Sequence, residues 1–100
     1  MGDYMDEEIR MDTPYDIDST VYLIDKVSKE NEYPKYKIIK CFVHGFHNFG
    51  SGWKIKLRTN RNKFKFMEYD VDFCEAGWKT FKSKKEAENR IKEIGGVVVE

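Results

Sequence analysis

Proline, cysteine, net charge and long apolar runs are all scarce in this sequence. Two prolines in 100 residues rule out a proline-rich linker or collagen-like chain. Two cysteines, Cys41 and Cys74, are too few for a disulfide scaffold and suit a reducing compartment, as small buried hydrophobes. No apolar run approaches the roughly 18–20 residues needed to cross a bilayer, and the N-terminus is acidic where a secretory signal is basic and then apolar. No membrane partner is expected, and a cytoplasmic location follows. Asp6 stands where a myristoylation motif requires Ser or Thr, so lipid attachment is not indicated.

The formal charge sums to zero, but the charges are segregated. Residues 1–20 hold Asp3, Asp6, Glu7, Glu8, Asp12, Asp16 and Asp18 against Arg10 alone. Residues 53–66, "WKIKLRTNRNKFKF", hold Lys54, Lys56, Arg58, Arg61, Lys63 and Lys65 and no acid. Glu68, Asp70, Asp72 and Glu75 follow. Blocks of this kind either partner each other across the fold or present a charged surface to another macromolecule. With 40% hydrophobic residues and fifteen aromatics, one domain with one modest core is expected.

Residues 1–18 lack sustained periodicity and read as an acidic arm, with the folded domain over 19–100. "STVYLIDKV" alternates β-branched and aromatic residues as a strand does. "KYKIIKCFVHGF" reads as a second, longer strand whose doubled Ile38 and Ile39 imply burial on both faces or a bulge. Glycines 45, 50 and 52 mark a loop. Trp53, Ile55 and Leu57 then alternate with cations, as do Phe64 and Phe66, which predicts a hairpin with one apolar and one basic face. With its turn at Thr59–Asn62, Arg58 opposes Lys63 and Lys56 opposes Lys65. Directly opposed like charges cost roughly 0.2–1 kcal/mol per pair, so the arm, carboxylates on a neighbouring strand, or an anionic partner must compensate them.

The apolar parity shifts between Phe66 and Met67. This predicts a bulge or sharp bend near Met67; with a bulge, Glu68, Asp70 and Asp72 share the outer surface with the lysines. "WKTF" reads as the last core strand. Ser83 and Glu86 form a capping box opening a helix over about 83–94, with Ala87, Ile91 and Ile94 as its buried stripe and Gly95-Gly96 as its stop. "VVVE" suits an edge strand or an apolar tail; as an edge it is also able to pair with a second copy. The fold class is α+β: a small antiparallel β-barrel or strongly bent sheet of about five strands with a C-terminal helix.

"TVYLID", the strand "KIIKCFV" and the closing "DFCEAGWKTFKSKKEAENRIKEI" together resemble a group of small proteins from phages and mobile elements of Firmicutes. The resemblance spans about residues 19–94 and is specific over the final twenty. Cys74 replaces that group's glycine, and "CEAGW" is an insertion before the last strand. The resemblance implies a Src-homology-3-like small barrel with an appended helix, in an accessory protein without catalytic residues.

Chemical motifs are sparse. Cys41, His44, His47 and Cys74 are the possible zinc ligands, but on a regular strand Cys41 and His44 point to opposite faces, and the close-spaced ligand pairs of zinc sites are missing. A buried cysteine and loop histidines are the expectation. Glu68, Asp70 and Asp72 have the spacing to share a magnesium ion, though alternating acids on an exposed strand are commoner. "GSGW" lacks the following helix of a phosphate loop. No nucleophile elbow or His-Glu-x-x-His pair occurs. Neither enzymatic activity nor a cofactor is expected. The leading expectation is a binding protein whose partner is a host or phage protein, engaged through the acidic arm or the basic hairpin. The alternative is a nucleic-acid module using the hairpin, with Trp53 or Tyr36 stacking on bases. A sequence pI of about 6.7 weighs against it.

Overall fold

Alternating side chains in the first strand serve two separate cores. The computed structural model describes residues 13–48, 50, 52–60 and 65–99. Strand β1 (Thr20–Lys26) turns Val21 and Leu23 into one core and Ile24 and Tyr22 toward the other. It pairs antiparallel with the 14-residue β2 (Lys35–Asn48), which does the same: Ile39, Cys41 and Val43 join the first core, and Tyr36 and Ile38 the second. The doubled isoleucine therefore marks burial on both faces. The bulge expected as the alternative also exists in β2, between Val43 and Gly45.

Strand β3 (Trp53–Arg58) pairs antiparallel with the far half of β2, and β4 (Glu68–Asp72) with β3. A 3-10 turn (Phe73–Glu75) leads to β5 (Thr80–Phe81), which pairs with β1. The sheet order is β4-β3-β2-β1-β5. Helix α1 (Lys84–Glu93) covers the second core with Ala87 and Ile91. β6 (Val97–Val99) returns parallel to the start of β2, a mixed element in an otherwise antiparallel sheet. Of the two forms expected for the sheet, the closed barrel is not seen: among the described residues β4 and β5 end the sheet and do not pair with each other. No bulge lies at Met67, because β4 starts only at Glu68; the chain bends at Lys65, the other way of resolving the parity shift.

The helix starts as expected. The Glu86 amide donates to the Ser83 hydroxyl at 3.2 Å, but the Glu86 carboxylate accepts from that same hydroxyl. Ser83→Ala is expected to destabilise the fold by about 1 kcal/mol, measured by denaturant unfolding; no change would mean that tertiary contacts alone hold this end. At the other end Gly95 takes φ +76, with Gly95 N–H bonded to Lys92 C=O and Gly96 N–H to Ile91 C=O, a Schellman stop. A Cβ on Gly96 would lie 2.6 Å from the Tyr36 ring, so the second glycine lets β6 reach β2. Ile94, expected in the buried stripe, is 38% exposed.

The stretch read as an arm joins the fold before residue 19. Tyr15 is buried in the first core, and its hydroxyl donates to the Thr80 carbonyl at 3.0 Å and lies 2.8 Å from the Thr80 hydroxyl. Asp18, at φ +69, donates its amide to the Val43 carbonyl. The rest of the expected arm, residues 1–12 with Asp3, Asp6, Glu7, Glu8 and Asp12, lies outside the described residues.

Candidate functional site

β3 alternates in a two-residue period, so Ile55 and Leu57 are fully buried while Lys54, Lys56 and Arg58 lie on the opposite face. The strand beside it carries the complementary pattern. Register sets Lys54 opposite Asp72, Lys56 opposite Asp70 and Arg58 opposite Glu68. Lys54 meets Asp72 at 2.6 Å and Arg58 meets Glu68 at 3.0 Å, while Lys56 lies 3.7 Å from Glu68. Strand β3 does have a hairpin partner, but that partner is Glu68–Asp72 and not the Lys63–Phe66 stretch expected to fold back within residues 53–66. The Thr59 amide bonds the Met67 carbonyl, and the Met67 amide bonds the Thr59 hydroxyl. The pairing of Arg58 with Lys63 and of Lys56 with Lys65 is replaced by cation against carboxylate, the second of the three compensations. The physical reason is the cost of opposing like charges, which this register converts to attraction.

The hydrogen bond from Arg58, then the charges of Lys56 and Arg58, hold the Glu68 carboxyl below its ordinary range. A lowered folded-state pKa gives stability that is present at neutral pH and is lost as the pH falls through the carboxylate range. Lys54 is shifted up, chiefly by its hydrogen bond to Asp72. These pairs are solvent-screened, so they add little to stability. They neutralise the face more than they stabilise it.

Arg58 also stacks over the Phe66 ring at 4.1 Å, and Lys40 sits 5.9 Å from the Phe42 ring, with Phe42 in register with Arg58. Phe66, expected to be buried opposite Ile55, is 37% exposed. Lys65 is exposed; Arg61, Lys63 and Phe64 lie outside the described residues. Asp16 and Asp18 are exposed beside the entry to β1. Trp53, expected in the core, is partly exposed and contacts Phe73 with ring centroids 6.2 Å apart.

The possible metal ligands are scattered. Cys41 is in the core, where burial pushes its thiol up to about 11 and keeps it neutral. Cys74 is exposed on the 3-10 turn. His44 and His47 lie on the exposed part of β2, not in a loop. Among the described residues no cluster of three or more His, Cys, Asp or Glu is placed to hold a metal.

One surface feature has no sequence signal. Trp78, read as part of the last core strand, sits in the turn before β5, 58% exposed, with the Arg90 guanidinium 4.1 Å over its ring. With Ile24, Tyr36 and Ile94 it lines a groove. Only the long-range packing of α1 against β1 and β5 brings Arg90 to Trp78. Among the described residues no helix is long and apolar enough to cross a membrane. Compared with known protein families, curated proteins and solved structures, the chain has no match.

Proposed function

We propose that this is a non-enzymatic protein-binding module, an accessory protein of a phage or mobile element that engages a host or phage protein inside a bacterial host cell and inhibits a defence or nucleic-acid-processing enzyme. The carrying observation is the ion-paired hairpin: Lys54, Lys56 and Arg58 each have a carboxylate within 4 Å. Cations already matched in this way release few counterions on meeting phosphate, and counterion release is what drives nucleic-acid affinity. The acids of residues 1–20 add repulsion toward phosphate and attraction toward a cationic protein. The resemblance of the opening strand and the closing helix to phage-borne proteins supports the setting.

A Src-homology-3-like architecture belongs to the same reading. Its support is the long β2 shared between β1 and β3, the 3-10 turn joining β4 to β5, and β5 pairing back onto β1. A second reading, binding of single-stranded nucleic acid, is favoured by the adjacent cation–aromatic pairs Arg58–Phe66 and Lys40–Phe42.

The test measures both. The full chain, used as bait in lysate of a Firmicute host, is expected to retain a specific protein, and deletion of residues 2–12 to weaken that capture. Nucleic-acid affinity is expected to stay near background, both in the wild type and in Lys56→Glu with Lys65→Glu. A salt-sensitive micromolar affinity that this double substitution abolishes would transfer the function to the second reading.

A further inference from the structure

β4 uses only one of its two edges among the described residues. The Thr59–Met67 bond and the register of β3 and β4 set which backbone groups face β3: those of Tyr69 and Val71. Those of Glu68, Asp70 and Asp72 therefore face away from the sheet. The Asp72 amide is taken by the Glu75 carboxylate at 3.1 Å. The Asp72 carbonyl is the first acceptor of the 3-10 turn, whereas the amides and carbonyls of Glu68 and Asp70 remain directed outward, and no described strand pairs with them. Met67, 62% exposed, flanks one end of this edge.

Both faces of the edge have a defined chemistry. Tyr69 and Val71 point to the first core. Glu68, Asp70 and Asp72 present carboxylates on the outer face. Asp70 has no ion pair among the described residues, though the register places it opposite Lys56. Toward β3 these three residues meet Arg58, Lys56 and Lys54, so cations at every second position are what this strand pairs with.

Resting on the protein-binding reading above, we infer that the free edge of β4 is a strand-addition site for an extended segment of a partner protein with Lys or Arg at alternate positions. The segment bonds to the outward groups of Glu68 and Asp70 and continues the ion ladder. Charge complementarity selects this occupant. A second copy adding its own β4 would set carboxylate against carboxylate, at roughly 0.2–1 kcal/mol per pair, and a nucleic acid would meet three carboxylates.

The probe is a blocked peptide of sequence WKIKLR, the pattern that β4 already pairs with through β3, titrated into the isotope-labelled full chain. Expected are saturable shifts and slowed exchange at the amides of Glu68 and Asp70, with those of Tyr69 and Val71 unchanged. Binding is expected to weaken about tenfold in Asp70→Lys, and to vanish for the charge-reversed WEIELE and for WKIKLR N-methylated at alternate residues. Asp70→Asn, which leaves an uncharged exposed side chain, serves if the lysine variant fails to fold, and its binding is expected to fall between the other two. Binding that survives N-methylation overturns the inference as mere charge adsorption. So does a response confined to the Trp78 groove, or one that reflects self-association by mass. Retention of a host protein with no response to the peptide also overturns the strand-addition site while leaving the protein-binding reading intact; loss of both overturns the two together.

Discussion

Leu57→Ala is expected to lower the unfolding free energy by about 2–5 kcal/mol, while Lys56→Ala beside it changes it by less than about 1. Leu57 is fully buried, opposite Val43 on β2 and Tyr69 on β4, at the centre of the first core. Removing its isobutyl group loses transfer energy and leaves a hole that three hydrogen-bonded strands cannot collapse to fill. A domain of this size has about 5–15 kcal/mol to lose, so the variant is expected to be partly unfolded on warming. Lys56 is half-exposed and 3.7 Å from Glu68, and water replaces what the substitution removes. Urea melts of both variants check the pair; equal effects would mean that the face assignment of β3 is wrong.

Tyr15→Ala is expected to cost about 3–5 kcal/mol, as for other buried aromatics, and Tyr15→Phe about 1–3 kcal/mol. The phenylalanine keeps the ring in the first core but leaves the hydroxyl of Thr80, which is fully buried, without its partner, while the Thr80 carbonyl keeps its bond from the Gly77 amide. A buried group stripped of its hydrogen bond carries its desolvation cost. Thermal melts of the two variants separate these effects. A wild-type melting temperature for Tyr15→Phe would show that the Tyr15–Thr80 bond contributes nothing, and one for Tyr15→Ala would return the segment around Tyr15 to the arm.

Local pattern was the readable part. The β1 alternation, the doubled isoleucine of β2, the inward Ile55 and Leu57, the Ser83 cap and the Gly95-Gly96 stop all depend on near neighbours and on a period of 2 or 3.6, which a sequence carries directly. The hairpin shows where such reading ends. "TNRN" has turn composition, and a tight turn there satisfies apolar pairing of Leu57 with Phe64, yet it opposes four cations in two pairs. Weighted by that cost, the wider connection that brings Glu68 opposite Arg58 is the better register. Nothing in the sequence marks Tyr15, because an aromatic in an acidic, aperiodic stretch has no period to reveal its partner, which is 65 residues away.

By itself, the sequence determined β1, β2, the two-faced β3, the helix and its ends, and the presence of separated acidic and basic blocks, since each follows from neighbouring residues and their spacing. The tertiary structure alone decided which blocks neutralise each other, that Tyr15 belongs to the core, that Trp78 and Arg90 stack in the open, and that among the described residues the sheet ends at an acidic edge. These depend on register and on contacts between distant segments, and a one-residue change of register redistributes charge and exposure along a whole strand.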